Sequence, residues 1–148
     1  MQSSITRRLF LAGAFVPGST AAAQTANWSD QERTNAKVVD DFCAAWSSRN
    51  IAKPLTFMSV DCVYRMSETT PPVTGHDGVI QRLKTYVESS DSVQFEVLKT
   101  FASGPLVMNH RIDRYISARP LIWEGVGVFF LQNGKIKEWF DYTIQVTR

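Results

Sequence analysis

The residue types that could perform chemistry lie in two short segments near the C-terminus of the chain. Residues 109–115 read Asn-His-Arg-Ile-Asp-Arg-Tyr, and residues 139–142 read Trp-Phe-Asp-Tyr. Arg111 and Asp113 are two positions apart in an alternating segment, so as strand residues they point to the same face of a sheet. Asp141 lies in the last predicted strand. Two carboxylates that share an arginine can hold different protonation states, which is what paired acid and base catalysis requires.

A purely structural interpretation of the same segments stays open at this point. One face of the strand around Arg111 is polar, and the other is mostly apolar. If the polar face meets solvent, Arg111 and Asp113 form a surface ion pair of small energetic value. Asp141 shares its face with Trp139, and an apolar neighbour of this size favours a desolvated carboxyl instead. The polar face carries Asn109, Arg111, Asp113 and Tyr115, and the opposite face carries Met108, His110, Ile112 and Ile116.

Helical patterns fill the first part of the chain and strand patterns the second part. Ser29 and Glu32 form a capping box, which predicts a helix from there to about Ser48. A helical turn at 54–58, a short strand at 61–66 and a helix at 76–88 follow. Period-two alternation then predicts strands at 93–99, 106–117, 122–132 and 135–146, with Asn133-Gly134 as a hairpin turn. This order indicates an α+β domain with its helices packed on one face of a mostly antiparallel sheet.

The N-terminus has the pattern of an export signal. Arg7 and Arg8 precede a short apolar run, and Ala21-Ala22-Ala23 follows it as a cleavage-like site. The segment resembles the bacterial twin-arginine type of signal. We therefore expect residues 1–23 to be removed, residues 24–148 to form one domain, and the protein to be periplasmic or secreted. The apolar run is shorter than the roughly 20 residues that span a bilayer.

Charge and cysteine content exclude several classes of function. The chain has 16 basic and 14 acidic residues, and loss of Arg7 and Arg8 would leave 14 of each. No basic run interleaved with aromatic residues follows the signal, so we expect no nucleic-acid partner and, after processing, no membrane partner. Cys43 and Cys62 lie in no metal-binding motif, and no metal is expected. They are either a disulfide permitted by export or two buried thiols.

Four motifs together resemble a known family. Arg111-Ile112-Asp113, Gly127-Val128-Phe129, residues 133–136 and residues 139–142 are similar to the limonene-1,2-epoxide hydrolase family. Over residues 29–146 the chain more loosely resembles the wider nuclear-transport-factor-2-like (SnoaL-like) fold. The resemblance implies a cone-shaped, barrel-like fold in which a curved, mostly antiparallel sheet wraps around three helices. It also implies a homodimer formed through the open face of the sheet.

The resemblance assigns a role to each catalytic candidate. Asp113 would be the general acid on the epoxide oxygen, Asp141 the general base for water, and Arg111 the bridge between them. Tyr64 matches a tyrosine that helps to hold the water. The family has an asparagine at the next same-face position, where this chain has Met66. A thioether cannot replace an amide in holding water, so one water contact is missing; Asn109 and Ser67 are candidates to replace it.

The implied reaction is opening of a small apolar epoxide to a diol, with no cofactor. Two alternatives remain: an isomerase or cyclase of the SnoaL or ketosteroid isomerase type, which would not need the hydrolytic water, and a non-catalytic small-molecule-binding domain. A pocket walled by apolar side chains would suit an apolar substrate. Its expected wall consists of Met66, Leu83, Phe95, Phe129, Leu131 and Trp139.

Overall fold

The computed structural model describes residues 27–146. The expected export signal at residues 1–23 lies outside this range and stays a prediction. Helix α1 is Asp30–Ala45, followed by a 3₁₀ turn at Trp46–Ser48, α2 at Ala52–Leu55 and α3 at Gly75–Glu88. The strands are β1 Met58–Arg65, β2 Val73–Thr74, β3 Ser92–Ser103, β4 Leu106–Ile116, β5 Leu121–Gln132 and β6 Lys135–Gln145. None of the described helices is both long and apolar enough to cross a membrane.

One curved sheet contains all of these strands, in the order β2-β1-β6-β5-β4-β3. All neighbours are antiparallel except β1 and β6, which run parallel and place Tyr64 beside Trp139. Register shifts interrupt the pairing of β1 with β6, of β3 with β4 and of β5 with β6. Such irregularities bend and twist strands. The predicted α+β class with helices on one sheet face is confirmed.

Local sequence signals set the ends of several elements. Ser29 caps α1 by accepting a hydrogen bond from the Glu32 amide at 3.2 Å, while the Glu32 carboxylate accepts one from the Ser29 amide at 2.7 Å. The other oxygen of Glu32 accepts from the Gly104 amide at 2.8 Å, which ties the start of α1 to the β3–β4 turn. Asn133 and Gly134 both have positive φ, at 52° and 73°, as the tight β5–β6 hairpin requires. These capping and hairpin predictions are confirmed.

The first strand begins earlier than its alternation predicts. β1 starts at Met58, and the preceding helical turn is Ala52–Leu55. The predicted bounds of the turn (54–58) and of the strand (61–66) therefore both lie a few residues too far toward the C-terminus. The Phe57 carbonyl accepts a hydrogen bond from the Ile136 amide at 2.9 Å, which draws this segment alongside β6. Long-range pairing decides this boundary, and no local signal in the sequence reports it.

The core lies between the helices and the inner, concave face of the sheet. Val39, Phe42 and Trp46 of the N-terminal helical segment and Val79, Leu83 and Val87 of α3 are almost fully buried. They pack against inward residues of the strands: Val93, Phe95, Val107, Phe129, Leu131, Ile136 and Trp139. Cys43 and Cys62 are free, buried thiols, so the structure favours the thiol alternative over the disulfide.

Candidate active site

The polar face of β4 points into the molecule. Arg111 is 1% exposed, Asp113 is 5% exposed and Asn109 is fully buried. The alternative in which this polar face meets solvent is wrong, because the curved sheet turns the face toward the helices and leaves the apolar face outside. Asp141 reaches the same interior from β6 and is 4% exposed. Four polar side chains from different positions in the sequence thus meet in one enclosed place.

Arg111 bonds both carboxylates. Its Nε donates to Asp113 Oδ1 at 2.8 Å, and its Nη2 donates to Asp113 Oδ2 at 3.1 Å and to Asp141 Oδ1 at 2.6 Å. The indole Nε1 of Trp139 also donates to Asp141 Oδ1, at 2.6 Å. The second oxygen, Oδ2, of Asp141 has no hydrogen bond within residues 27–146. It is free to accept a hydrogen bond from a bound molecule.

The guanidinium is also bonded and packed on the side away from the two carboxylates. Arg111 Nη1 donates to Asn109 Oδ1 at 3.1 Å, and Asn109 Nδ2 donates to the Cys43 Sγ at 3.3 Å. The rings of Phe95, Phe129 and Trp139 surround the guanidinium, with their centroids 5.3, 5.9 and 5.7 Å from Cζ. Aromatic faces attract a desolvated cation. Asn109 is committed to Arg111, so it does not replace the missing water ligand.

A glycine provides the space that the guanidinium occupies. A Cβ placed on Gly127 would lie 1.9 Å from Arg111 Nη1 and 2.9 Å from Asn109 Oδ1. These are impossible contacts, and the side chains they involve are buried and bonded. Gly127 thus marks a close approach of the guanidinium to the backbone of β5.

A cavity of about 270 Å³ opens above the carboxylates. Tyr64, Asp113 and Asp141 line it together with four of the six predicted wall residues. Phe129 and Leu131 do not line it, which corrects their assignment. Phe129 belongs to an aromatic core with Phe42 and Trp139, and Leu131 lies beyond it, near the hairpin ends. The full lining is Tyr64, Met66, Ser67, Thr70, Leu83, Tyr86, Phe95, Asp113, Tyr115, Trp123, Trp139, Asp141 and Thr143.

Five lining residues were not assigned to the site from the sequence, and a sixth, Ser67, was considered only as a substitute water ligand. Tyr115 and Thr143 continue the same-face alternation of Asp113 and Asp141, so spacing alone could have indicated them. Tyr86 lies one helical turn after Leu83, which is a similar signal. Trp123 enters through the pairing of β5 with β4, opposite Asp113. Ser67 and Thr70 lie in the loop after β1, where their hydroxyls bond each other at 2.6 Å, and no periodicity identifies them.

Burial makes both carboxyls weaker acids than usual. The pKa of Asp141 is raised from 3.8 to about 6, because burial disfavours its charged form more than the attraction of Arg111 favours it, and the charge on Asp113 adds to the rise. The pKa of Asp113 is also raised by burial, against the pull of Arg111. Because the two groups share one cation, they bind protons as a pair. The site therefore takes up a proton close to neutral pH, where an acid–base pair needs one.

The phenol beside this pair keeps its proton. Burial raises the pKa of Tyr64 well above its ordinary value, and the charge on Asp141 raises it further. The Tyr64 ring stacks on Trp139 with centroids 4.0 Å apart, which places it over the indole that bonds Asp141. Tyr64 is thus a fixed hydrogen-bond donor on the Asp141 side of the cavity.

The comparison with known proteins agrees with this architecture. Residues 39–139 match the SnoaL-like domain family, and the chain belongs to that family. An LEH-like epoxide hydrolase from M. tuberculosis is similar at 22% identity and a TM-score of 0.61, over 76% of this chain and 84% of that chain. A putative SnoaL-like polyketide cyclase from Jannaschia sp. CCS1 is similar at 15% identity and a TM-score of 0.67, over 79% and 90%. At these identities the likeness shows the fold, which is shared by proteins of different activity.

Replacement of Gly127 by alanine tests how tightly the site is packed. Gly127→Ala is expected to cost about 2–3 kcal/mol or more in the free energy of unfolding, because the new methyl group would displace a buried, bonded guanidinium. Urea unfolding measures the change. Gln132→Ala, on an exposed residue at the end of the same strand, is the control and should cost less than about 1 kcal/mol. Equal losses in the two variants would contradict the packing argument.

Replacement of Asp141 by asparagine tests the electrostatics. The folded chain binds a proton on Asp141 up to about pH 6, whereas an unfolded aspartate loses it near pH 4. The charged group therefore lowers stability progressively as pH rises through this window. Asparagine mimics the protonated acid, so Asp141→Asn is expected to be about 1–3 kcal/mol more stable than the parent at pH 8, with no difference near pH 4.

A surface aspartate provides a control of opposite sign for that experiment. The Lys137 side chain bonds Asp61 and lowers the Asp61 pKa. Asp61→Asn should therefore be less stable than the parent at pH 8 and equal to it at low pH. Urea unfolding at pH 4, 6 and 8 compares the three proteins. If the free energy of unfolding has the same pH dependence in the parent and in Asp141→Asn, burial does not raise the pKa of Asp141.

Proposed function

We propose that the chain is a cofactor-independent hydrolase that opens a small, largely apolar epoxide to a diol. One observation carries the proposal: a buried arginine is shared by two carboxylates that both line one cavity, whose other walls are aromatic rings, aliphatic side chains and hydroxyl groups. This is the arrangement that the resemblance to the limonene-1,2-epoxide hydrolase family implies. The likeness to an LEH-like epoxide hydrolase structure supports it.

The proposed reaction is a single concerted step. Asp141 takes a proton from water, the water oxygen attacks one ring carbon, and the strained carbon–oxygen bond breaks. Asp113 gives its proton to the leaving oxygen, so the product is a neutral diol. The proton then passes from Asp141 back to Asp113 through solvent, which restores the starting state. The oxygen of Asp141 that has no partner, Oδ2, is the atom available to the water.

The side chains around the pair have supporting roles in this proposal. Arg111 holds both carboxylates in position and offsets their charge. Tyr64 donates a hydrogen bond to the attacking water from the Asp141 side. Met66 lines the cavity where the related family has a water-binding asparagine. Ser67 follows Met66 directly in the sequence and also lines the cavity, although its hydroxyl oxygen is bonded to Thr70.

Met66 favours one alternative activity on the same scaffold. A proton-shuttling isomerase or cyclase needs one carboxylate in an apolar pocket and no hydrolytic water. A thioether at this position would therefore not lower its activity. Putative polyketide cyclases are among the similar structures. Conversion of a β,γ-unsaturated ketone to its conjugated isomer, with no diol formed from any epoxide, would favour this alternative.

Substitution of either aspartate tests the hydrolase. Asp113→Asn and Asp141→Asn should each lower diol formation from cyclohexene oxide or a methyl-substituted analogue by about 100-fold or more, because each removes one partner in proton transfer. Gas chromatography of the diol measures the rate. Asp91→Asn, on an exposed residue outside the cavity, is the matched control and should be unaffected. Undiminished turnover in both cavity variants would exclude this mechanism.

We also propose that two copies of the chain associate through the outer face of the sheet. This outer face is formed by β3–β6 and carries partly exposed apolar side chains on every strand. Phe101 pairs with Met108, and Val126 pairs with Tyr142, so the side chains are contiguous across the strands. Large contiguous apolar patches are typical of interfaces. Its most exposed members are Phe101, Met108, Ile116, Val126, Phe130, Tyr142 and Ile144.

A charge at the centre of the outer face tests the dimer. Sedimentation of the parent should give the mass of two chains, and Val126→Glu should give that of one chain, because a carboxylate would have to be desolvated at the contact. Thr85→Glu, on the exposed side of α3, should leave the mass unchanged. A parent that sediments as one chain at micromolar concentration would contradict the proposal.

A further inference from the structure

One tyrosine at the carboxylate pair has no part in the reaction described above. Tyr115 follows Asp113 by two positions on β4, so the two side chains share the inner face of the strand. Tyr115 is 3% exposed and lines the same cavity as both aspartates. Tyr64 occupies the Asp141 side of the pair, and Tyr115 occupies the Asp113 side.

Aromatic packing fixes the ring of Tyr115. Its centroid is 6.0 Å from that of Phe95, 5.8 Å from that of Tyr86 and 5.5 Å from that of Trp123. The rings of Phe95 and Trp123 meet it edge to face, a favourable arrangement for aromatic pairs. The direction of the hydroxyl is therefore set by the packing of the ring and needs no hydrogen bond to hold it.

The hydroxyl of Tyr115 is left open to a ligand. It bonds no group within residues 27–146. It is also not one of the fully enclosed polar atoms that lack a partner in this part of the chain, which are Trp46 Nε1, Ser59 Oγ and Arg65 Nε. The oxygen must therefore face the cavity. A phenol in such a place is satisfied only by water or by a bound acceptor.

The charge state of Tyr115 makes it a donor. Burial raises its pKa well above the ordinary value, and the neighbouring charges of Asp113 and then Asp141 raise it further. Ionisation is thus disfavoured at any pH at which the fold is used. The group keeps its proton and can donate it in a hydrogen bond, but it does not act as a base.

We propose that Tyr115 donates a hydrogen bond to the substrate oxygen that lies beside Asp113. The inference rests on the proposed function and adds a second donor to it. During ring opening this oxygen gains negative charge as its bond to carbon breaks, and the phenol stabilises it without giving up its proton. Donors aimed at developing charge contribute strongly to catalysis.

The hydrogen bonds around Asp113 explain why a second hydrogen-bond donor to the leaving oxygen would favour the reaction. Arg111 donates two hydrogen bonds to Asp113 and one to Asp141, so it favours the ionised form of Asp113 more strongly. A smaller fraction of Asp113 then carries the proton that the leaving oxygen needs. A phenol at the same oxygen reduces the dependence of the reaction on that fraction. The preferred ligand is therefore a molecule with an oxygen acceptor, such as an epoxide or ketone, on an apolar body.

Removal of one oxygen atom tests this role. Tyr115→Phe keeps the ring and its packing, so the protein should remain folded with a nearly unchanged midpoint of thermal unfolding. Its kcat/KM for cyclohexene oxide should fall about 10- to 100-fold, with the pH profile preserved because both carboxyls remain. Thr85→Val, which removes a hydroxyl from the exposed side of α3, is the control and should behave as the parent.

A binding experiment separates this inference from the proposed function. NMR titration with 1-indanone and with indane compares two ligands of one shape, of which only the first has an acceptor. Tyr115→Phe should weaken binding of 1-indanone about 5- to 10-fold and leave that of indane unchanged. This result supports the donor role even if no epoxide is hydrolysed. Equal affinity of the parent and Tyr115→Phe for 1-indanone overturns it, whatever the epoxide assays show.

Discussion

The sharing of one buried guanidinium by two buried carboxylates is the interaction on which the site depends. Arg111 is enclosed, and so are Asp113 and Asp141, so the ensemble carries more negative than positive charge when both acids are ionised. Desolvated charges are stable only with close partners and complete hydrogen bonding. Burial disfavours both charged carboxylates more than Arg111 favours them, and at Asp141 the charge on Asp113 adds to this, which is why the carboxyl pKa values rise instead of falling as in an ordinary ion pair.

The surrounding structure supplies what the guanidinium needs on its other sides. Gly127 leaves room for it, Asn109 accepts a hydrogen bond from its Nη1, and three aromatic rings surround it. Gly127, Asn109 and Phe129 do not line the cavity, yet each restricts where the carboxylates can lie. Packing in the core therefore positions the arginine and the two carboxylates, so a change in the core also changes the site.

Much of the architecture could be predicted from local signals, and much of the site could not. The capping box at Ser29 and the Asn133-Gly134 turn act over a few residues, so the sequence reports them directly. The alternation that groups Arg111 with Asp113 is also local. Which face of that strand points into the core depends on the curvature of the whole sheet, and the local sequence does not report it. Phe129 and Leu131 were misplaced for the same reason, since inward residues far from the cavity look identical in sequence to those that line it.

The parallel pairing of β1 with β6 has a consequence for how the protein folds. Tyr64 and Trp139 become neighbours only when the last strand aligns beside the first, across most of the described chain. Asp141 arrives with that same strand. Contacts of such long sequence separation are slow to form because the entropy of closing the loop must be lost first. Asp141 pairs with Gly127 through the local β5–β6 hairpin, so the second carboxylate can reach Arg111 before this alignment, and the slower step then encloses the pair beneath the stacked rings of Tyr64 and Trp139.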